Sequence, residues 1–371
     1  MKKGLIIVPN LQFNDGISTV MMNYYYEIVK KDWKIDFLVL KDEDTPWKSD
    51  VIKNSGNVFC LPPKSKYSKE TKEYIKTIVK ENGYDIIHVN IPGEVARLTL
   101  CFAKKYKVKT RIFHCHNPKN NLNMKAKVST FIYDNLCLKK ANRFIACSKS
   151  TGISRFKNRK FYILKNVIDT EHFIYSSEKR VEIRNKLDIN DKIVIGVVGR
   201  FTMQKNPYFL VDCFTELCKK NEKYFLLWIG EGEEKTKIEE KLISNGLKNK
   251  FCFPGKKSDV GNWYCAMDIF FLPSKFEGLG IVFLEAQCSG LTCVASDTVP
   301  KETEITELMN KYSLSERPSI WADKINKLCE NMSERKNRAE CFMDVGYTHE
   351  SSKMDMLKLY EKFRGGIDAN N

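Results

Sequence analysis

The sequence has 371 residues, of which 43% are hydrophobic, and its formal net charge is +16. A chain of this length exceeds one ordinary hydrophobic core, so we expect two domains, and its hydrophobic content excludes a disordered protein. No uninterrupted apolar run approaches the ~18 residues of a membrane span, and the 13 cysteines form no CxxC pair. We therefore expect a cytoplasmic protein whose cysteines are small core residues.

The basic charge is concentrated in the first half of the chain. Residues 1–186 hold 36 Lys and Arg against 18 Asp and Glu, whereas the remainder holds 26 against 28. Residues 101–160 alone hold 16 basic residues and a single acid, Asp134. This asymmetry favours a polyanionic partner for the first half, either nucleic acid or the anionic inner leaflet of a membrane. The alternative is a charge that serves solubility alone.

Short β-branched runs alternate with amphipathic stretches along the first half. The two lysines and the apolar run that open the chain resemble a signal peptide, but Pro9 and Asn10 interrupt the run, which therefore predicts a first strand. The alternation predicts a parallel, doubly wound α/β sheet. The predicted strands are 4–9, 34–40, 57–61, 84–90, 110–116, 143–148 and 160–166. The predicted helices are 18–30, 69–81, 94–105 and 124–139.

The same pattern restarts after residues 174–190, a polar stretch that predicts a linker with a short helix. A second doubly wound domain is predicted from 191, and the tail from about 316 is predicted to be helical throughout. Two such domains facing each other would form one cleft, with ligands at the carboxyl ends of the strands. The strands predicted for the second domain are 191–200, 224–230, 249–255, 268–273 and 291–296.

Two cations follow the first strand of the second domain. Arg200 ends the run GVVGR, and Lys205 precedes Asn206-Pro207, where proline favours the start of a helix. Cations beside a strand end and a helix start suit a diphosphate. The alternative is a solvated loop with two ordinary basic residues.

Two glutamates bracket seven uncharged residues in the stretch FEGLGIVFLEAQCSG, residues 276–290. If Glu277 precedes a helix that starts near Gly280, Glu285 lies in its second turn, and the helix N-terminus between them favours an anion. Carboxylates accept hydrogen bonds from hydroxyls. The pattern therefore predicts a ligand with hydroxyl groups at both ends of a diphosphate, which describes a nucleotide-diphosphate sugar. The alternative is an ordinary helix with one capping and one exposed glutamate.

Several motifs in order within residues 192–297 resemble one enzyme family. The runs GRFTMQKNP, LLWIGEGEE and the stretch from FPGKKSD to VASD are similar to retaining GT-B glycosyltransferases of family four, which carry a Glu-x7-Glu motif. The following SDTVPKETEIT resembles bacterial capsule, exopolysaccharide and O-antigen transferases. The resemblance implies a GT-B fold with an acceptor-side domain (1–173), a linker (174–190), a nucleotide-sugar domain (191–347) and a C-terminal helix (348–371) that crosses back to the first domain.

The resemblance also implies a role for each matching residue. Glu277 would bind hydroxyls of the donor sugar and Glu285 those of the ribose, while Arg200 and Lys205 would neutralise the diphosphate, so that neither a metal nor a cofactor is needed. The base would lie near Gly255 and Lys256. The backbone amides that would contact the donor belong to Gly278, Leu279, Gly280 and Ile281.

The first domain offers two weaker matches to the same family. Gly16 follows the first strand, where relatives often carry a double glycine near donor phosphates, and the alternative is a plain turn capped by Asp15. His116 matches the histidine that ends a strand beside the donor sugar and the acceptor, where it would orient the sugar and share in the transfer of the proton. His114 projects to the same face by strand alternation, and its alternative role is that of a core histidine. The sequence offers too few further ligands beside these histidines to predict a metal site.

The enzyme predicted by these matches is a retaining hexosyltransferase of cell-surface polysaccharide synthesis. It would move a sugar from a nucleotide-diphosphate sugar, expected to be a UDP-sugar, to a hydroxyl of a glycan or lipid-linked saccharide. The lysine-rich first half would hold it to the inner face of the cell membrane. Two alternatives stay open: a GT-B nucleotide-sugar epimerase or phosphorylase, and a nucleic-acid-binding protein. The second lacks aromatic residues interleaved with the basic ones and leaves Glu277 and Glu285 unexplained.

Overall fold

The structure is a computed structural model that describes residues 1–12, 15–41, 44–62, 68–118 and 124–365, with only the backbone for 124–130. It divides into two compact units. The first comprises Met1–Val167 together with the chain from Ser352 onward, and the second comprises Ile168–Ser351. None of the described helices is both long enough and apolar enough to cross a membrane.

The first unit is built on a seven-stranded parallel sheet with the strand order β3-β2-β1-β4-β5-β6-β7. The central strands are buried on both faces, as parallel strands covered by helices must be. The strands are β1 (Lys2–Val8), β2 (Trp33–Val39), β3 (Val58–Cys60), β4 (Ile86–Val89), β5 (Thr110–Cys115), β6 (Arg143–Ala146) and β7 (Tyr162–Ile163). The helices are α1 (Gly16–Val29), α2 (Pro46–Lys53), α3 (Lys69–Glu81), α4 (Glu94–Lys105), α5 (Met124–Lys140) and α6 (Lys149–Phe156).

The second unit repeats the design with a six-stranded parallel sheet of order β10-β9-β8-β11-β12-β13. Its strands are β8 (Ile193–Val198), β9 (Tyr224–Ile229), β10 (Phe251–Gly255), β11 (Ile269–Leu272), β12 (Thr292–Ser296) and β13 (Met309–Tyr312). Its helices are α7 (Ser177–Leu187), α8 (Pro207–Lys220), α9 (Lys235–Ser244), α10 (Val260–Ala266), α11 (Ile281–Cys288), α12 (Pro318–Glu330) and α13 (Ala339–Asp344). The four-residue α14 (His349–Ser352) and then α15 (Asp355–Arg364) end the described chain.

The structure differs from the predicted organisation in three places. The units divide after Val167 rather than after 173. The stretch 174–190 carries the predicted short helix, α7, but it belongs to the second unit, where Arg184 donates to the carbonyl of Ala266. The prediction of a tail helical throughout from 316 is wrong, because residues 331–338 form no helix. The sheet also has an edge strand, β13, that the sequence did not predict.

The chain leaves the second unit beside the point where it begins. The amide of Ile168 donates to the carbonyl of Tyr347, and the amide of His349 donates to the carbonyl of Ile168. After this pairing α15 joins the first unit. Two features hold it there: Tyr360 is fully buried, and the Glu361 carboxylate accepts hydrogen bonds from Lys2 and Trp33.

Candidate functional site

The carboxyl edge of the second sheet brings together the ends of three strands. The backbone amide of Gly199, which follows β8, donates to the carbonyl of Ile229 at the end of β9. The amide of Gly230, which follows β9, donates to the carbonyl of Gly255 at the end of β10. Glycine is required at Gly230, because a Cβ there would lie 2.1 Å from the carbonyl oxygen of Gly199. The three strand ends therefore lie close together at the edge where open α/β sheets bind ligands.

Glu277 lies at this edge, held by two separate stretches of chain. Its Oε1 accepts hydrogen bonds from Lys205 Nζ at 2.6 Å and from the Ser274 hydroxyl at 2.5 Å. The Gln204 amide donates to Oε2 at 3.4 Å and to the carbonyl of Phe276 at 3.1 Å. The side chain of Glu277 is only 6% exposed. Its orientation is thus fixed from several sides, and Oε2 retains lone pairs that can accept a ligand hydroxyl.

The loop after Glu277 delivers the chain to the N-terminus of α11. Gly280 has φ 84° and ψ 59°, a left-handed conformation that favours glycine, and the helix begins at Ile281. Within the described residues, the backbone amides of Leu279, Gly280 and Ile281 have no hydrogen-bond acceptor. Unpaired amides at a helix N-terminus form a site for an anion. The expected order of Glu277 before the helix and Glu285 in its second turn is confirmed.

Glu285 contacts a different neighbour, Tyr264 of α10. The Tyr264 hydroxyl donates to Glu285 Oε2 at 2.8 Å and lies 3.3 Å from the carbonyl oxygen of Val282. Burial raises the pKa of Glu285 to about 7, while the hydrogen bond from Tyr264 acts in the opposite direction. This carboxyl group can therefore change protonation state near neutral pH.

The two predicted cations differ in their surroundings. Lys205 ends a short 3₁₀ turn and is paired with Glu277, with 14% of its side chain exposed. Arg200 is exposed, and its side chain makes no hydrogen bond or ion pair with any described residue. Lys256, predicted near a base, is also exposed and follows Gly255. The structure therefore brings Lys205 and Glu277 into contact, whereas Arg200 and Lys256 reach no other predicted residue.

In the first unit, His116 follows β5 and forms part of a cluster of three histidines. Its ring centroid lies 4.0 Å from that of His114, and His114 Nδ1 lies 3.2 Å from His88 Nε2. His88 Nδ1 lies 2.9 Å from the Tyr360 hydroxyl. His114 is buried and paired through Nδ1, as in the core histidine that was the alternative, but its Nε2 has no hydrogen-bond partner among the described residues. Burial lowers the pKa of all three imidazoles.

Gly16 is the first residue of α1, and Asp15 caps that helix. The Asp15 carboxylate accepts a hydrogen bond from the amide of Ser18 at 2.9 Å. The capped turn that the sequence offered as an alternative is therefore present. Gly16 is exposed, and a Cβ there would meet nothing within 4 Å, so its backbone is open to a ligand.

Sequence reasoning missed four side chains that position these groups. Ser274 and Gln204 hold Glu277, Tyr264 holds Glu285, and Asn90 bonds His116 at 3.0 Å. Ser274 lies three residues before Glu277, a spacing that the sequence displays. The other three contacts join positions at least 21 residues apart, so only the fold reveals them. Among the residues described, no group of three or more His, Cys, Asp or Glu could hold a metal ion.

The comparisons with known proteins assign the class of this fold and then the family. Two parallel-sheet units of this kind form the GT-B fold, and a solved structure of that class, WaaG, which is involved in lipopolysaccharide biosynthesis, matches with a TM-score of 0.72. It covers 99% of this chain and 100% of the other at 14% identity. The model of Glycosyltransferase Family 4 matches residues 14–172, and that of Glycosyl transferases group 1 matches residues 179–341. The chain belongs to the family-four type of GT-B glycosyltransferase.

Two curated relatives and one further structure extend this likeness. The Bacillus subtilis (strain 168) protein named "Putative glycosyltransferase EpsF" is 27% identical over 357 residues, which cover 93% of each chain. The UDP-Gal:alpha-D-GlcNAc-diphosphoundecaprenol alpha-1,3-galactosyltransferase of Escherichia coli is 28% identical over 312 residues, covering 76% of each. Anabaena Alr3699/HepE in complex with UDP-glucose matches with a TM-score of 0.80 at 15% identity, covering 98% of this chain and 100% of the other.

Proposed function

We propose that this glycosyltransferase moves a hexose from a UDP-sugar to a hydroxyl of a glycan or lipid-linked saccharide in cell-surface polysaccharide synthesis. The observation that carries the proposal is the fixed Glu277 carboxylate directly before the uncapped N-terminus of α11. A group that accepts hydroxyls beside a group that accepts an anion matches the sugar and the diphosphate of such a donor.

The names of the relatives support the substrate classes. The E. coli relative is named for a UDP-Gal donor and a saccharide on diphosphoundecaprenol, and the solved Anabaena protein was obtained with UDP-glucose. The Erwinia amylovora relative, 24% identical over 290 residues, is named for amylovoran biosynthesis. A UDP-sugar donor, a lipid-linked acceptor and a role in polysaccharide synthesis are therefore proposed for this chain.

The proposed mechanism places the developing charge of the leaving diphosphate against three groups. Arg200, the two N–H donors of Lys205 that Glu277 does not use, and the first amides of α11 would stabilise it. These cations would make a metal ion unnecessary, so transfer should survive addition of EDTA. The acceptor hydroxyl would attack the anomeric carbon from the face that the diphosphate leaves, and its proton would pass to the departing diphosphate, giving retention of configuration.

The first unit would also bind an anionic membrane surface. Phe131, Ile132 and Ile153 are large apolar side chains that are each at least half exposed, and they belong to the strongly basic region 101–160. Apolar side chains among lysines are typical of surfaces that lie in the lipid headgroup region. The enzyme would then meet its lipid-linked acceptor at the inner face of the cell membrane.

Donor binding tests the proposal directly. A panel of nucleotide-sugars is screened by thermal shift, and a UDP-sugar is expected to raise the melting temperature, because a ligand that binds only the folded state stabilises it. Glu277→Gln and Arg200→Ala should each weaken donor affinity and transfer by about ten- to a hundredfold, since a hydrogen bond to a charged group contributes about 1.5–3 kcal/mol.

The matched control is Glu239→Gln, a change of the same chemistry at an exposed position of α9. It should leave donor binding and transfer unchanged. If both site variants keep full donor affinity and full transfer, the assignment of the site is wrong. Consumption of a nucleotide-sugar without any acceptor would instead identify an epimerase.

A further inference from the structure

Asn90 follows β4 and lies beside His116, which follows the neighbouring strand β5. The Asn90 side chain is almost fully buried, at 2% exposure. Its Oδ1 lies 3.0 Å from Nε2 of His116. Because β4 and β5 are hydrogen-bonded neighbours, this contact joins two residues at the same edge of the first sheet.

The orientation of the Asn90 amide follows from its second contact. Its Nδ2 donates to the backbone carbonyl of His88 at 3.4 Å. The flipped amide would bring Oδ1 against that carbonyl oxygen, and two acceptors facing each other repel. Oδ1 therefore faces His116 and has no hydrogen to give, so the proton of this hydrogen bond belongs to Nε2 of His116.

The rest of the surroundings keep the imidazole neutral. Burial lowers the pKa of His116 to about 3. Its ring contacts that of His114, which in turn contacts His88, and the pKa values of these two histidines are also lowered. The Cys147 thiol contacts the backbone carbonyl of His116 and the Thr151 hydroxyl, not the imidazole ring. With one proton, held on Nε2, the lone pair of the ring lies on Nδ1, and Nδ1 has no hydrogen bond to any described residue.

We propose that Asn90 is a positioning residue that fixes His116 as the Nε2–H tautomer, so that Nδ1 accepts a hydrogen bond from a hydroxyl of the sugar substrate. The identity of that hydroxyl rests on the proposed function, whereas the tautomer does not. A lone pair attracts hydroxyl hydrogens and repels phosphate oxygens. Nδ1 of His116 would thus bind a hydroxyl in preference to a phosphate oxygen.

The tautomer is measured on the intact chain labelled with ¹⁵N-histidine, with no added substrate. The chain has five histidines, and the signals of His116 are assigned by their loss in His116→Gln. At about neutral pH we expect a protonated Nε2 and an unprotonated Nδ1. A proton on Nδ1, or an equal mixture of the two tautomers, would overturn the proposal without any variant of Asn90.

A second measurement tests the contact with Asn90. Asn90→Asp keeps the shape and the acceptor but adds a negative charge beside Nε2–H, which should raise the midpoint of His116 protonation by about one to three pH units. Asn82→Asp, the same change at the end of α3, should leave this midpoint where it is. An unchanged midpoint in Asn90→Asp would contradict the assigned contact.

The two proposals fail separately. If His116 has the expected tautomer but no nucleotide-sugar binds, the proposed reaction is wrong and the role of Asn90 in fixing the imidazole stands. A second case is that a UDP-sugar binds. The loss of affinity caused by removing each sugar hydroxyl is then measured with deoxy analogues, in the unchanged chain and in His116→Gln. If each loss is the same in both proteins, His116 accepts no donor hydroxyl. The remaining case is a hydroxyl of the acceptor, which is tested by comparing transfer rates to deoxy acceptors in the same two proteins. If each missing acceptor hydroxyl also lowers the rate equally in both, the proposal is overturned.

Discussion

At the scale of single residues, the two glutamates of the candidate site have different hydrogen-bond partners. Glu277 is paired with the ammonium group of Lys205, whereas Glu285 has a neutral hydroxyl partner in Tyr264. Burial without a cation raises the pKa of Glu285 to about 7. The two carboxylates look equivalent in sequence but lie in different electrostatic surroundings.

Donor affinity should depend on pH through Glu285. Glu285 is the residue expected to bind ribose hydroxyls, and an ionised carboxylate accepts hydroxyls better than the acid does, so affinity should rise as pH increases through about 7. Tyr264→Phe removes a hydrogen bond that lowers this pKa and should move the midpoint upward. Calorimetric titration with the donor over a pH series measures both. If the midpoint of the pH dependence of donor affinity is unchanged in Tyr264→Phe, or if the dependence persists in Glu285→Gln, it belongs to a group other than Glu285.

The same carboxyl group has the opposite effect on stability. Its pKa in the folded chain lies above the ordinary value of 4.5, so folding favours the protonated form. Its contribution to the unfolding free energy is fully present below about pH 4.5 and is lost as pH rises through about 7. The pH range that favours donor binding is thus the range in which this residue stabilises the fold least.

At the scale of elements, the start of α11 depends on the left-handed backbone of Gly280. A Cβ at this position would lie 2.9 Å from Cδ2 of Phe283 and 3.4 Å from Cγ of Glu277. Gly280→Ala should therefore lower the unfolding free energy by more than the ~1–2 kcal/mol of a left-handed residue alone and should weaken donor binding. Urea unfolding and the thermal shift with donor measure the two effects.

Gly246→Ala is the matched control for Gly280→Ala. Gly246 has φ 77°, close to that of Gly280, but a Cβ there would meet nothing within 4 Å. The Gly246→Ala variant should lose only the stability that a left-handed backbone costs a residue with a side chain. Its thermal shift with donor should equal that of the unchanged chain. Equal losses in the two variants would mean that the contacts at Gly280 do not matter.

The sequence predicted most elements because buried parallel strands are visible as apolar runs. Such runs mark β8 and β11, and the glycines that end the strands mark the edge of the sheet. Strand β13 (MNKY) was missed because an edge strand with partly exposed, polar residues carries no apolar run. The contacts that orient the site were missed for another reason: Gln204 and Glu277 are 73 positions apart, and long-range packing alone brings them together.

At the scale of the whole molecule, α15 completes the core of the first unit from the far end of the chain. Tyr360 is fully buried against Trp33 and His88. Ending the chain after Ser352 should lower the unfolding free energy of the first unit by about 3 kcal/mol or more, the usual cost of removing a buried aromatic side chain. Hydrogen exchange in β1 and β2 should then become faster, whereas exchange in β8 and β9 should not change.

A shorter truncation provides the control. Ending the chain after Arg364 retains α15 and both hydrogen bonds of Glu361, so exchange in β1 should match that of the full chain. Unchanged exchange after the longer truncation would show that the first unit is complete without α15.

Membrane binding is the second prediction at this scale. Sedimentation with vesicles should recover the protein with anionic lipid and leave it in solution with neutral lipid, and salt should weaken binding by screening. Phe131→Ser with Ile132→Ser should reduce the bound fraction severalfold, whereas Ile243→Ser, which changes a similarly exposed apolar residue of α9, should not. Equal binding to both vesicle types, or none at physiological salt, would refute this role of the basic region.

The discontinuous first unit also sets an order of assembly during translation. A ribosome releases Met1–Val167 first, then the whole of the second unit, and α15 only afterwards. The second unit can therefore reach its complete set of contacts while the first still lacks Tyr360. In the interval Trp33 and His88 are left without their covering ring, which makes the nascent first unit the part of the chain that a chaperone would recognise.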